Sequence, residues 1–83
     1  VYMPVVFRYK GYRFFFYSNE GNPLEPLHIH VRKADAVAKI WLEPELGIAE
    51  SYGLNSSDLR DLMEVADENR DKIMRYWNEY FGI

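Results

Sequence analysis

Cysteine is absent from this chain of 83 residues. Its absence excludes disulfide bonds, thiolate nucleophiles and thiolate metal ligands, and leaves a reducing compartment as the natural environment. No apolar run approaches the roughly 20 residues that a membrane span needs. No charged segment followed by an apolar stretch resembles an export signal. We therefore expect a soluble, cytoplasmic protein with no membrane partner.

Several common functional motifs are also missing. The sequence has no glycine-rich phosphate-binding loop, no Ser-His-Asp arrangement and no zinc-finger spacing. Hydrophobic residues nevertheless make up 48% of the chain and aromatic residues 17%, a composition too apolar for a disordered protein. A chain of this length holds one small core, so we predict a single domain over residues 1–83.

Charge is divided unevenly along the sequence. Residues 1–42 carry six Lys or Arg against three Asp or Glu, a net charge of +3, whereas residues 43–83 carry four against ten, a net charge of −6. The first half therefore offers a surface for an anion, and the second half offers a solvated or partner-binding surface.

Strand-like segments fill the first half of the chain. They are rich in β-branched and aromatic residues and are separated by turn formers, including Lys10-Gly11 and Ala34-Asp35. The last of them is short and contains Gly47, a residue that weakens a strand. The predicted strands cover residues 4–9, 12–17, 27–33, 37–43 and 46–51.

Apolar residues change to a period of 3.6 after Asn55, which predicts a helix over residues 56–81 capped by Asn55 or Ser56. Such a helix would be about 39 Å long, more than a small sheet can cover. It should break near Asn69, a polar residue on the apolar stripe, or pack its end elsewhere. We therefore predict an α+β fold in which a C-terminal helix packs on one face of an antiparallel sheet of four to five strands.

Side-chain alternation assigns the strand residues to two faces of this sheet. We expect the helix to cover the apolar face, with Trp77 and Phe81 completing the core. The predicted core-facing residues are Val5, Phe7, Phe14, Phe16, Ile29, Val31, Ile40 and Leu42. The opposite, basic and aromatic face collects Arg8, Arg13, Phe15, Tyr17, His28, His30, Arg32, Lys39 and Trp41.

The segment His28-Ile29-His30-Val31-Arg32 contains the candidate catalytic residues. Alternation places His28, His30 and Arg32 on one face. One neutral imidazole can take a 2′-hydroxyl proton, a protonated one can donate to the leaving oxygen, and a cation can steady the phosphorane. Aromatic rings among basic residues are typical of surfaces that hold single-stranded RNA. The predicted substrate-binding residues are Arg13, Tyr17, Lys39 and Trp41.

Other interpretations of the same residues stay open. His28 and His30 can bind a divalent metal such as zinc, with Glu20 or Glu25 adding a carboxylate. The two imidazoles can equally bond loop carbonyls on an ordinary half-exposed sheet. A non-enzymatic module that binds a protein or a small anion needs only an exposed patch. In the metal-independent interpretation no cofactor is required.

The aromatic C-terminal segment predicts a protein partner. We assign Tyr76 and Tyr80 to that interface, because tyrosine supplies large contact area at low entropic cost. The partner would be a second copy of the chain or a different protein.

Several motifs in unbroken order resemble a known family. The segments concerned are residues 3–7, 11–20, 26–31, 38–44 and 77–81. Together they are similar to the small bacterial domain of unknown function family 4160. The resemblance implies a component of a two-gene type II toxin–antitoxin module, usually regarded as the toxin, with a cognate antitoxin-like protein as its partner. It implies no specific catalytic residue. The chain departs from the family at Leu27, where a second proline usually precedes the first histidine.

Overall fold

The structure is a computed structural model that describes residues 5–17 and 25–82. It confirms the predicted α+β fold: five antiparallel strands in the order β1-β2-β3-β4-β5 form one sheet, and two C-terminal helices pack on it. The elements are β1 (Val5–Tyr9), β2 (Tyr12–Phe15), β3 (His28–Lys33), β4 (Ala36–Trp41), β5 (Gly47–Tyr52), α1 (Ser56–Glu68) and α2 (Arg70–Phe81).

Two-residue turns join β1 to β2 and β3 to β4, as predicted. Lys10 and Gly11 both have positive φ, 48° and 84°. This is the signature of a type I′ hairpin turn, whose twist matches that of the flanking strands. Ala34 also has a positive φ, of 53°. The strands agree with the predicted bounds to within two residues: β4 begins one residue earlier and β5 ends one residue later than predicted, and the other ends coincide or lie inside. Residue 4 lies outside the described ranges.

The core lies between the sheet and the two helices. Seven of the ten residues predicted for this core are buried, namely Phe14, Phe16, Ile29, Val31, Ile40, Leu42 and Trp77. Phe81 is partly buried and packs against them. Phe7 is only partly buried, although its ring stacks on that of Phe14 at a centroid distance of 4.3 Å.

The assignment of Val5 to the core was wrong. An irregularity in the β1–β2 pairing places Val5 opposite Phe15 and Phe7 opposite Phe14. The extra residue is Val6, which joins the core in place of Val5. A β-bulge of this kind shifts the alternation by one position, so Val5 is exposed.

The predicted break in the helix occurs at Asn69. Asn55 caps α1: its side chain accepts from the backbone N–H of Asp58 at 2.8 Å, and the Asp58 carboxylate accepts in return from the Asn55 backbone N–H. Asn69 ends α1 and precedes α2, and its side chain donates to the carbonyl of Val65. Neither helix is long and apolar enough to cross a membrane.

Candidate functional site

Three arginines stand in register on the sheet face opposite the helices. Arg8 on β1 pairs with Arg13 on β2, and Arg13 pairs with Arg32 on β3. All three are exposed. Within residues 5–17 and 25–82, Arg8 and Arg13 form no ion pair or side-chain hydrogen bond, whereas Arg32 donates from Nε to the carbonyl of Ala34 at 3.1 Å. We call these residues the arginine row.

The other end of the same face is an aromatic–histidine cluster, formed by Phe15, Tyr17, His28, His30 and Trp41. The His28 and His30 rings are 5.2 Å apart, so the structure brings the two predicted imidazoles together. Arg32 points from the same face of β3 but lies at the opposite end of the strand, next to the turn. The cluster and the arginine row are therefore neighbouring parts of one surface.

His28 was predicted to lie on an open surface, but it is buried. Its side chain has 0% exposure. Its ring lies 5.4 Å from the Trp41 ring and 5.1 Å from the ring of Trp77 on α2. Alternation fixes the side of the strand on which a residue projects, but not whether another element covers that side. Here the C-terminal turns of α2 reach the end of the sheet.

The protonation site of His28 follows from its hydrogen bond. Nδ1 lies 2.9 Å from the carbonyl oxygen of Pro26. A carbonyl oxygen can only accept, so Nδ1 carries a proton. This bond to a loop carbonyl is the structural role that the sequence analysis left open for the histidine pair.

His30 occupies a more accessible position in the middle of β3. It is partly exposed and packs edge-on against Tyr17 at 4.5 Å, with Phe15 at 5.8 Å. Phe15, by contrast, is buried. Of the two histidines, His30 is the one placed to meet a molecule that binds this face.

Lys39 and Trp41 lie beside the cluster on β4. The Lys39 ammonium forms a 2.8 Å ion pair with Glu25 and lies 4.5 Å from the centre of the Trp41 ring. Glu25 therefore compensates the charge of Lys39. The assignment of Lys39 and Trp41 to substrate binding stays a prediction.

No group of three His, Asp or Glu side chains within the described ranges is arranged to hold a metal ion. Glu20, the third ligand in the metal interpretation, lies outside those ranges. Glu25, the other candidate carboxylate, is paired with Lys39.

The predicted partner residues on α2 are both exposed, Tyr76 by 38% and Tyr80 by 36%. Tyr80 packs edge-on against Phe81 at 5.0 Å, and Phe81 contacts Trp77 at 4.6 Å. The exposed tyrosine surface is thus continuous with the aromatic packing at the end of the sheet.

Sequence reasoning placed Arg8 on the correct face but did not include it in the site. Its position opposite Arg13 depends on the register set by the two-residue turn at Lys10-Gly11, and that turn was the signal available.

A model of the family described as Domain of unknown function (DUF4160) matches residues 11–78. No curated protein and no solved structure matches the chain. The family match covers most of the chain, including β2 to β5, the cluster, α1 and α2 as far as residue 78, and the chain accordingly belongs to the DUF4160 family.

Proposed function

We propose that this chain is the toxin component of a type II toxin–antitoxin module, and that it acts on single-stranded RNA through the arginine row and His30. The observation that carries the proposal is the register of Arg8, Arg13 and Arg32 on three adjacent strands. Like charges directly opposite one another destabilise a sheet. The arginine row therefore contributes little to the fold and is better suited to a ligand.

The spacing of the arginine row fits a phosphodiester backbone. Neighbouring strands are about 4.8 Å apart, so the row spans roughly 10 Å across three strands. Guanidinium groups bind phosphate oxygens with paired hydrogen bonds. Tyr17 and His30, on the adjoining part of the face, present rings on which a base can stack.

His30 provides the chemistry in this proposal. The His30 imidazole takes the proton of a 2′-hydroxyl, the 2′-oxygen bonds to phosphorus as the bond to the 5′-oxygen breaks, and the departing oxygen takes a proton from water. Arg32, two residues away on the same face, stabilises the charge that develops on the non-bridging phosphate oxygens. His28 is a positioning residue, because its buried ring packs against His30 and is fixed by the Pro26 carbonyl.

The burial of His28 favours a second candidate function. Acid–base cleavage by two imidazoles needs both rings in contact with the substrate, and His28 has no exposed surface. A non-enzymatic module that binds an anion through the arginine row requires no such contact. The two candidates differ in whether bound RNA is cut.

Replacing the three arginines of the row by glutamine should weaken binding of a single-stranded 12-mer oligouridylate measured by fluorescence anisotropy. Each lost phosphate contact lowers the slope of log affinity against log salt by about 0.7 for a single strand. The slope of log affinity against log salt should therefore be shallower by about two units in the triple variant. Expression of this variant should no longer arrest growth.

Arg60→Gln and Arg75→Gln are matched controls, because both arginines are exposed and lie on the helices. Together they remove two positive charges away from the row, against three in the test variant, and should change neither the slope nor the growth arrest. Equal losses in the controls would contradict a specific role of the row. Growth arrest that survives in the triple variant would contradict the proposed toxin mechanism.

The proposed module also needs a protein partner, for which we assign the exposed surface around Tyr76 and Tyr80. The chain should associate with itself or copurify with an antitoxin-like neighbour, and Tyr76→Ser/Tyr80→Ser should abolish the complex in light-scattering measurements. Tyr52→Ser, at an exposed tyrosine on β5, is the control and should leave the mass unchanged. A monomeric mass for the unaltered chain at high concentration, with no copurifying protein, would count against this surface.

A further inference from the structure

A groove lies between the end of β4 and the beginning of β5, separate from the arginine row. Its volume is about 490 Å³. The residues that line it are Pro26, Trp41, Glu43, Pro44, Glu45, Leu46 and Gly47. We call it the acidic groove.

The walls of the acidic groove combine an apolar surface with two carboxylates. Trp41 and Leu46 supply apolar surface, whereas Glu43 and Glu45 are exposed and carry the charge. No Lys or Arg is among the lining residues. In the part of the chain that the structure describes, neither Glu43 nor Glu45 forms an ion pair.

Lys39 contacts Trp41 but is not among the residues that line the groove. Its ammonium lies over the Trp41 ring and forms a 2.8 Å ion pair with Glu25. This cation is therefore paired with Glu25, and among the described residues no ion pair joins it to Glu43 or Glu45. The groove keeps its negative charge beside a partly exposed indole ring.

From this charge and this ring we propose that the acidic groove binds the cationic side chain, arginine or lysine, of an extended peptide segment from a partner protein. The cation lies against the Trp41 ring, which attracts it through the ring quadrupole. Glu43 and Glu45 pair with its charge, and the proline and leucine side chains contact its methylene groups. The same charges repel phosphate, so nucleic acid and basic peptide would use different ends of the sheet face.

The two tryptophans of the chain allow a site-resolved test by NMR. Trp41 lines the groove, whereas Trp77 is buried in the core. Titration of the ¹⁵N-labelled protein with the peptide acetyl-Arg-Gly-Arg-amide should shift the indole N–H signal of Trp41 and leave that of Trp77 in place. The peptide acetyl-Glu-Gly-Glu-amide should shift neither signal.

Charge-neutral variants identify the carboxylates responsible. Glu43→Gln and Glu45→Gln should each lower the affinity for the arginine peptide by up to about fivefold, the range expected of an exposed ion pair. Glu64→Gln/Glu79→Gln removes two exposed charges from the helices and is the matched control. The proposal would be overturned if the arginine peptide left the Trp41 signal in place, or if the control variant lost as much peptide affinity as the groove variants. It would also be overturned if the oligouridylate, and not the peptide, shifted the Trp41 signal.

Discussion

Ile40→Asp should leave the chain unfolded at 25 °C. Ile40 is the penultimate residue of β4, opposite Ile29 and Ile48, and has 0% exposure. An unpaired carboxylate there is either desolvated or forced to bind a proton, and both cost several kcal/mol. A chain of 83 residues is expected near the low end of the usual unfolding free energy of about 5–15 kcal/mol, so a loss of this size leaves no stable folded state. Circular dichroism during thermal and urea unfolding measures the loss.

Two further variants show how large a loss of unfolding free energy to expect from other substitutions. Ile40→Val keeps the site apolar and should cost about 0.5–1.5 kcal/mol, which leaves a measurable transition. Tyr52→Asp places the same carboxylate on β5 at a residue that is 69% exposed, and should have little effect. A cooperative transition for Ile40→Asp at the temperature of the unaltered chain would show that Ile40 is not part of the core.

His30→Ala should lower RNA cleavage by roughly 10²–10⁴-fold, the usual contribution of a general acid or base. The melting temperature should change little, because His30 is only partly buried. Cleavage of a labelled oligoribonucleotide under single-turnover conditions measures the effect, and Arg60→Ala on α1 is the control for a nonspecific change of surface charge.

His28→Ala should give the opposite pattern. It removes a ring that packs between Trp41 and Trp77 and deletes the bond to the Pro26 carbonyl, so it should destabilise the fold by about 2–4 kcal/mol. Cleavage should fall mainly in proportion to the folded fraction. If His30→Ala keeps full activity, His30 has no chemical role. If EDTA abolishes cleavage and added zinc raises the melting temperature, the metal interpretation replaces this one.

The order of the strands and helices follows from local patterns. Turn formers at Lys10-Gly11, the alternation through β3 and the helical period after Asn55 are each set by neighbouring residues, and all three were predicted. The bulge at Val6 was not, because a run of two valines and a phenylalanine has no feature that marks which residue is extra.

The candidate site was only partly predictable for a related reason. Alternation correctly grouped His28, His30 and Arg32 on one side of β3, but the burial of His28 depends on α2, which is distant in sequence. The charge of the acidic groove also depends on tertiary structure, since Lys39 forms its ion pair with Glu25 and not with Glu43. Such pairings are decided by the arrangement of loops, which a periodic pattern does not encode.

The helix break at Asn69 determines where the C-terminal aromatic residues lie in the fold. An uninterrupted helix over residues 56–81 would measure about 39 Å, whereas the longest dimension of the molecule is 34 Å. Because the chain turns at Asn69, and Arg70 donates to the carbonyl of Leu42 just after β4, Trp77 returns to the end of the sheet. Without that return, the His28 ring would lose its contact with Trp77. The packing around one histidine therefore depends in part on an asparagine far along the chain.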